Sequence, residues 1–197
     1  GGYVALALWM TKYYVAEYGF DLKHAALLAA CFSLPGGVLR ALGGWISDKY
    51  GAAKVTWAVM WVCWVCFFLL SYPQTQMVIE TVTGPLAIHI GLSPLWFTAL
   101  LFIVGIAMAV GKASVFKFIG DDFSDNIGAV SGVVGLSGGL GGFILPVMFG
   151  ALVDFTGVRS SAFMLLYGTV CVSLVWMYFS FKPLRAAPTT QPAGATL

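Results

Sequence analysis

The chain has 197 residues, of which 60% are hydrophobic and only 9% charged, with a net charge of +2. A soluble domain carries about 25% charged residues, so this chain lacks the polar surface that water demands. Its few Lys and Arg are too scattered to form a stripe for nucleic acid.

What remains is an integral membrane protein. A span needs about 20 mainly apolar residues at a rise near 1.5 Å each. By that measure the chain predicts one partial span, 1–14, and five complete ones, 24–46, 52–72, 95–119, 128–153 and 161–181. Gly1 opens inside the apolar run GGYVALALW without the pattern of a signal peptide, so the expectation is a fragment whose first span is cut short. The longest connection, PQTQMVIETVTGPLAIHIGLSP, alternates weakly on either side of Thr83-Gly84-Pro85. It predicts a small β-ribbon carrying a solvated His89. The closing KPLRAAPTTQPAGATL is rich in Pro, Thr and Ala, which predicts a disordered tail over 183–197 beyond a membrane unit of 1–182. Lys49, Lys54, Lys117, Lys182 and Arg185 fall on one side of the membrane and Lys12, Lys23 and Arg159 on the other. That bias puts the tail in the cytoplasm.

Cys63 and Cys66 form a C-x-x-C, but inside the apolar run VTWAVMWVCWVCFFLLSY with no second ligand pair. They read as small buried hydrophobes rather than a redox or metal pair. No cofactor fingerprint or metal cluster is present, and Ser131 and Ser137 have no accompanying His or acid, so an enzyme is not expected.

No carboxylate falls within a predicted span, yet two cations do: Arg40 in the second and Lys112 in the fourth. Such a residue at mid-membrane costs about 2.5–3.5 kcal/mol on insertion scales. Arg40 lies eight residues before Asp48, and Lys112 eight before Gly120. Each is then about 12 Å from the cytoplasmic end of its helix, too deep for easy snorkelling. A visiting anion would compensate the charge of Arg40. Lys112 suits either a helix contact or a proton-coupled step.

The stretch 128–150, GAVSGVVGLSGGLGGFILPVMFG, holds eight glycines in 23 residues. Gly128, Gly132, Gly135, Gly139 and Gly142 recur at helical spacing, one face of a thin helix. A bare seam lets another backbone approach closely. The doubled glycines at 138–139 and 141–142 widen it into a smooth wall that a small ligand could reach, at the level of the two cations, and Pro146 permits bending.

GGWISDKYGAAK, residues 43–54, resembles the inter-helix loop motif of the major facilitator superfamily, with Gly44, Asp48, Lys49 and Gly51 at the motif positions. GVVGLSGGLGGFILP, LPGGVLRALGGWISDKYG and GKASVFKFIGDDFSDNIGAVSGVVG are similar to the nitrate/nitrite porters, a branch of that superfamily. The resemblance implies an all-α integral membrane fold, the C-terminal six-helix bundle of a twelve-helix porter with its first helix truncated. It implies a multi-pass protein of the bacterial inner membrane that takes part in nitrate assimilation. Its partners would be nitrate or nitrite, protons if the porter is a symporter, the lipid bilayer and an N-terminal six-helix half, with no cofactor. It also makes Arg40 one of two anion-gripping arginines and sets Gly135, Gly138, Gly139 and Gly142 along the anion path, with Lys112 a candidate for coupling. A planar guanidinium suits a flat oxyanion, offering two parallel hydrogen bonds. Lys112 tips the coupling towards proton-linked uptake, while nitrate/nitrite exchange stays open, as do a porter for formate or oxalate and a non-transporting half-porter.

Overall fold

The computed structural model describes residues 1–82 and 84–186, with side chains through Ser180. Six helices follow one another as α1 (Gly2–Tyr18), α2 (Leu22–Tyr50), α3 (Ala52–Leu70), α4 (Pro94–Asp122), α5 (Ile127–Thr156) and α6 (Ser161–Ala186). Five of them are long and apolar enough to cross a bilayer. The chain is thus a multi-pass membrane protein with an all-α membrane fold. Where hydropathy marks the core-crossing stretch of a helix, the hydrogen-bond ladder carries on past it. At about 1.5 Å per residue, the 29 residues of α2 span more than the hydrocarbon thickness. Asp48, Asp121, Asp122 and Asp154 therefore sit on the last turns of their helices rather than in free loops. At the chain's end α6 continues to Ala186, into the stretch expected to be a disordered tail, because Leu184, Arg185 and Ala186 are good helix formers. The rest of that expectation, 187–197, lies outside the described residues.

Between α3 and α4 stands the ribbon. β1 (Thr75–Thr81) pairs antiparallel with β2 (Gly84–Ile90), Thr75 opposite Ile90 and Thr81 opposite Gly84. Gly84 has φ 124°, a conformation that side chains resist and that lets the chain reverse within a short turn. His89 is exposed opposite Gln76.

The core is aromatic at the ribbon end. Tyr13 of α1 stacks on Phe97 of α4 at 5.0 Å between ring centres, and Phe163 of α6 meets both edge-on at 5.3 and 5.6 Å. Burying such rings contributes the largest apolar areas a helix can offer, with about 0.5–1.5 kcal/mol more from ring geometry. Toward the Asp48 end the packing changes to small residues. Gly105 of α4 lies against the Phe32 carbonyl of α2, and Gly43 of α2 against the Val110 backbone of α4. Thr56 of α3 and Ser114 of α4 share a hydrogen bond of 2.8 Å. Cys63 and Cys66 are buried free thiols in this core, and the Trp64 indole N–H donates to Cys171 Sγ at 3.0 Å.

Candidate functional site

The contacts Phe32–Gly105, Gly43–Val110 and Asp48–Lys117 advance in the same direction along both chains, so α2 and α4 run parallel. They bring Arg40 and Lys112 to about one level of the bundle. Both side chains are exposed. Among the described residues neither is in an ion pair.

The first turn of α1 stands beside this level. Tyr3 lies over Gly36 of α2, where only a glycine leaves it room, and its hydroxyl donates to the Ser33 carbonyl at 2.8 Å. That carbonyl sits in the turn disturbed by Pro35, whose ring removes a helical N–H. Gly36 and Arg40 are four residues apart, so Tyr3 covers the helix stripe on which Arg40 follows one turn later. On the far side, α1 meets the glycine helix. A Cβ on Gly1 would stand 2.8 Å from the Gly141 backbone, and one on Gly142 would stand 3.3 Å from Val4.

The glycines of α5 therefore divide. Gly141 and Gly142 accept the start of α1, and Gly138 has the Gly1 nitrogen at ordinary contact distance, 3.9 Å from its Cβ position. Gly128, Gly132, Gly135 and Gly139 face open space, and a Cβ there would meet nothing within 4 Å. The structure does not set Arg40 against any of these glycines. It leaves the cation and the open wall on separate helices, with the start of α1 between them. Gly141, the closest approach, is a residue that sequence spacing passes over, because it lies off the four-and-three beat.

At the Asp48 end, Gly51 reverses the chain between α2 and α3 with φ 87°. Gly44 is half-buried with nothing within 4 Å of a Cβ. Lys49 lies over the rings of Trp45 and Tyr50 at 5.4 and 5.5 Å. Asp48 pairs with Lys117 of α4 at 3.1 Å, and Lys117 also reaches Asp121, one turn on, at 3.1 Å. Lys117 is a residue whose part the sequence did not disclose. Its spacing of four before Asp121 was readable, but the reach to Asp48 needs the parallel α2–α4 pairing. The other end is tied by Arg159, which donates to Glu17 at 3.0 Å, and by His24, which is bonded to Asp21. That bond holds the Asp21 carboxyl below the usual carboxylate range.

The glycine-rich α5, the exposed Arg40 with no ion pair among the described residues and the one-residue turn at Gly51 all lie on or between membrane-spanning helices. The chain matches the Major Facilitator Superfamily over residues 1–196 and belongs to that family. It is similar to the "Probable nitrate/nitrite antiporter NarK1" of Thermus thermophilus, 36% identical over 185 residues, which cover 93% of this chain and 42% of the relative. It is also similar to the "Probable nitrate transporter NarT" of Staphylococcus aureus strain JH9, 29% identical over 170 residues, or 86% of this chain and 39% of the relative. The chain spans about two fifths of the length of these relatives.

Proposed function

We propose that the chain is the C-terminal half of a nitrate/nitrite porter, in which Arg40 grips the anion near mid-membrane while two six-helix halves alternate access around it. The observation that carries this is an arginine deep in an apolar helix, exposed and without an acidic partner among the described residues. Its cost of about 2.5–3.5 kcal/mol needs a counter-charge, and a small flat oxyanion supplies one with matched geometry. The names of the two relatives support nitrate and nitrite as that oxyanion. Gly135 and Gly139, which face open space, would line the anion path as a smooth wall with room for a small anion, while Gly138 and Gly142 lie against the start of α1 at its edge. The working partner is an N-terminal six-helix half. The unit of 1–182, its cytoplasmic C-terminus and the inner-membrane location belong to the same reading.

Exchange of nitrate for nitrite is the coupling this reading favours. It needs no titrating group, and the predicted spans hold no carboxylate. Proton symport is the second reading, and Lys112 is the observation that favours it.

The test is uptake of labelled nitrate into proteoliposomes loaded with nitrite, using the full-length protein that carries this chain. Arg40→Gln should abolish uptake and Arg40→Lys should leave a small residue of it, since an ammonium lacks the planar fork. Normal uptake by Arg40→Gln would overturn the assignment, and formate or oxalate competing where nitrate does not would move it to another anion. Lys112→Met should leave exchange intact, whereas loss of a proton-gradient-driven component alone would establish the symport reading.

A further inference from the structure

The β-ribbon has two unlike faces, and among the described residues neither is buried against the helices. Cross-strand partners share a face, so Met77 with Ile88, Ile79 with Leu86, and Thr75 with Ile90 line one side. That side carries five large apolar side chains, all exposed, and no ionisable group. The opposite side carries Gln76 with His89, Val78 with Ala87 and Glu80 with Pro85. A free two-stranded ribbon is marginally stable in water at best. A face as apolar as this one, left bare in water, would add to that cost.

We propose that this face rests in the lipid headgroup layer, so that the ribbon is a surface anchor of the porter and its occupant is phospholipid. The carrying observation is continuity with the membrane-facing surface. Only residues 71–74 join α3 to β1, and only 91–93 join β2 to α4. At about 3.5 Å per extended residue, both strand roots lie within a few residues' reach of the bilayer edge. At that edge the helix ends expose Phe68, Leu69 and Tyr72 on one side, and Leu95 and Trp96 on the other. Tyr and Trp at such a level mark the membrane interface. The root is also held there: Gln74 donates to the Leu92 carbonyl at 2.7 Å, and Tyr18 donates to the same carbonyl at 3.1 Å. Gly91 allows this, because a side chain at that position would collide with Gln74. The ribbon lacks Lys and Arg, so it would be held by apolar burial and needs no anionic lipid.

The test places single cysteines on the two faces of the full-length protein after Cys31, Cys63, Cys66 and Cys171 are replaced by Ala. Ile79→Cys and Leu86→Cys report the apolar face, and Gln76→Cys and Val78→Cys the opposite one. Each is labelled with a polarity-sensitive fluorophore and reconstituted in phosphatidylcholine nanodiscs, with or without phosphatidylcholine spin-labelled near its headgroup. Labels at 79 and 86 should emit to the blue of those at 76 and 78 and lose about half their emission to the spin label, as expected for burial of roughly 5–10 Å. Met77→Cys and Ile88→Cys replace any variant that fails to reconstitute. Equal quenching on both faces would overturn the proposal. So would blue-shifted emission at 79 and 86 without quenching, because a protein surface would then be the cover.

Discussion

Helices α4 and α5 are both glycine-containing membrane spans, yet much more of α4 is buried within the bundle than of α5. On α4 Gly105 and Gly111 are filled, and only Gly120 near its end is open. A Cβ on Gly105 would stand 2.5 Å from the Phe32 carbonyl oxygen, and one on Gly111 would stand 2.9 Å from Val59. On α5 most are empty, and Gly128, Gly132, Gly135 and Gly139 look out on nothing within 4 Å. The same residue type serves close backbone packing in one helix and an unobstructed wall in the other. Under the proposed transport function, the open face of α5 is room that a small anion could use.

This contrast breaks most sharply at Gly105. Gly105→Ala forces backbone apart and should cost about 1–3 kcal/mol, the range for overpacking a close-packed core. Thermal unfolding in detergent, followed by size-exclusion of the fluorescently tagged protein, would show the loss. A wild-type melting curve would mean that the α2–α4 contact is looser than it looks. Next in size is Gly36→Ala, which displaces only the far end of Tyr3. It should destabilise by about 1 kcal/mol, the worth of one hydrogen bond, and Tyr3→Phe should reproduce most of that effect. The open glycines should behave in the opposite sense. Gly135→Ala and Gly139→Ala should leave the melting temperature unchanged or raise it, because Ala is favoured over Gly in a helix by about 0.5–1 kcal/mol. Nitrate uptake should nevertheless fall. Lost stability there would show that the wall is packed after all, and unchanged uptake would detach it from the anion path. Lys117→Met removes the cation shared by Asp48 and Asp121 in an exposed bridge and should leave the melting temperature nearly unchanged. The same melting assay reads it, and a large fall in melting temperature would make the bridge a principal clamp between α2 and α4.

Smallest is the Asp21 pair. Because the carboxyl is held below its usual range by its bond to His24, its contribution is present at neutral pH and fades as pH falls through the lowered value. The difference in melting temperature between the wild type and Asp21→Asn should therefore close in acid, and one that widens there would reverse the sign.

The membrane class, the alternation of spans and the ribbon were legible because each rests on local chemistry. A run of apolar residues needs a bilayer whatever its neighbours do, and Thr83-Gly84-Pro85 between alternating stretches leaves the chain little choice but to turn. The spacing of Arg40 from the Asp48 end of α2 follows the same way, by counting helical rise. Partners do not. Helical spacing groups Gly135, Gly139 and Gly142 on one stripe, but whether α1 crosses at the first or the last of them depends on the aromatic packing of Tyr13 and Phe97 far up the bundle. The docking of Tyr3 on Gly36, the approach of Gly1 to Gly141 and the reach of Lys117 to Asp48 likewise depend on how helices distant in sequence settle together.

The hydrogen bonds that gather Tyr18, Gln74 and Leu92 have a mechanical consequence. They weld the base of the ribbon to the top of α1, so any swing of that helix is passed to the strands as rotation of a lever arm. Seven residues at about 3.4 Å each make the arm roughly 24 Å long. A tilt of about 15°, ordinary for rigid-body rearrangements, would sweep the tip at Val82 sideways by some 6 Å, turning a motion deep in the bilayer into one that a probe at the membrane surface can follow.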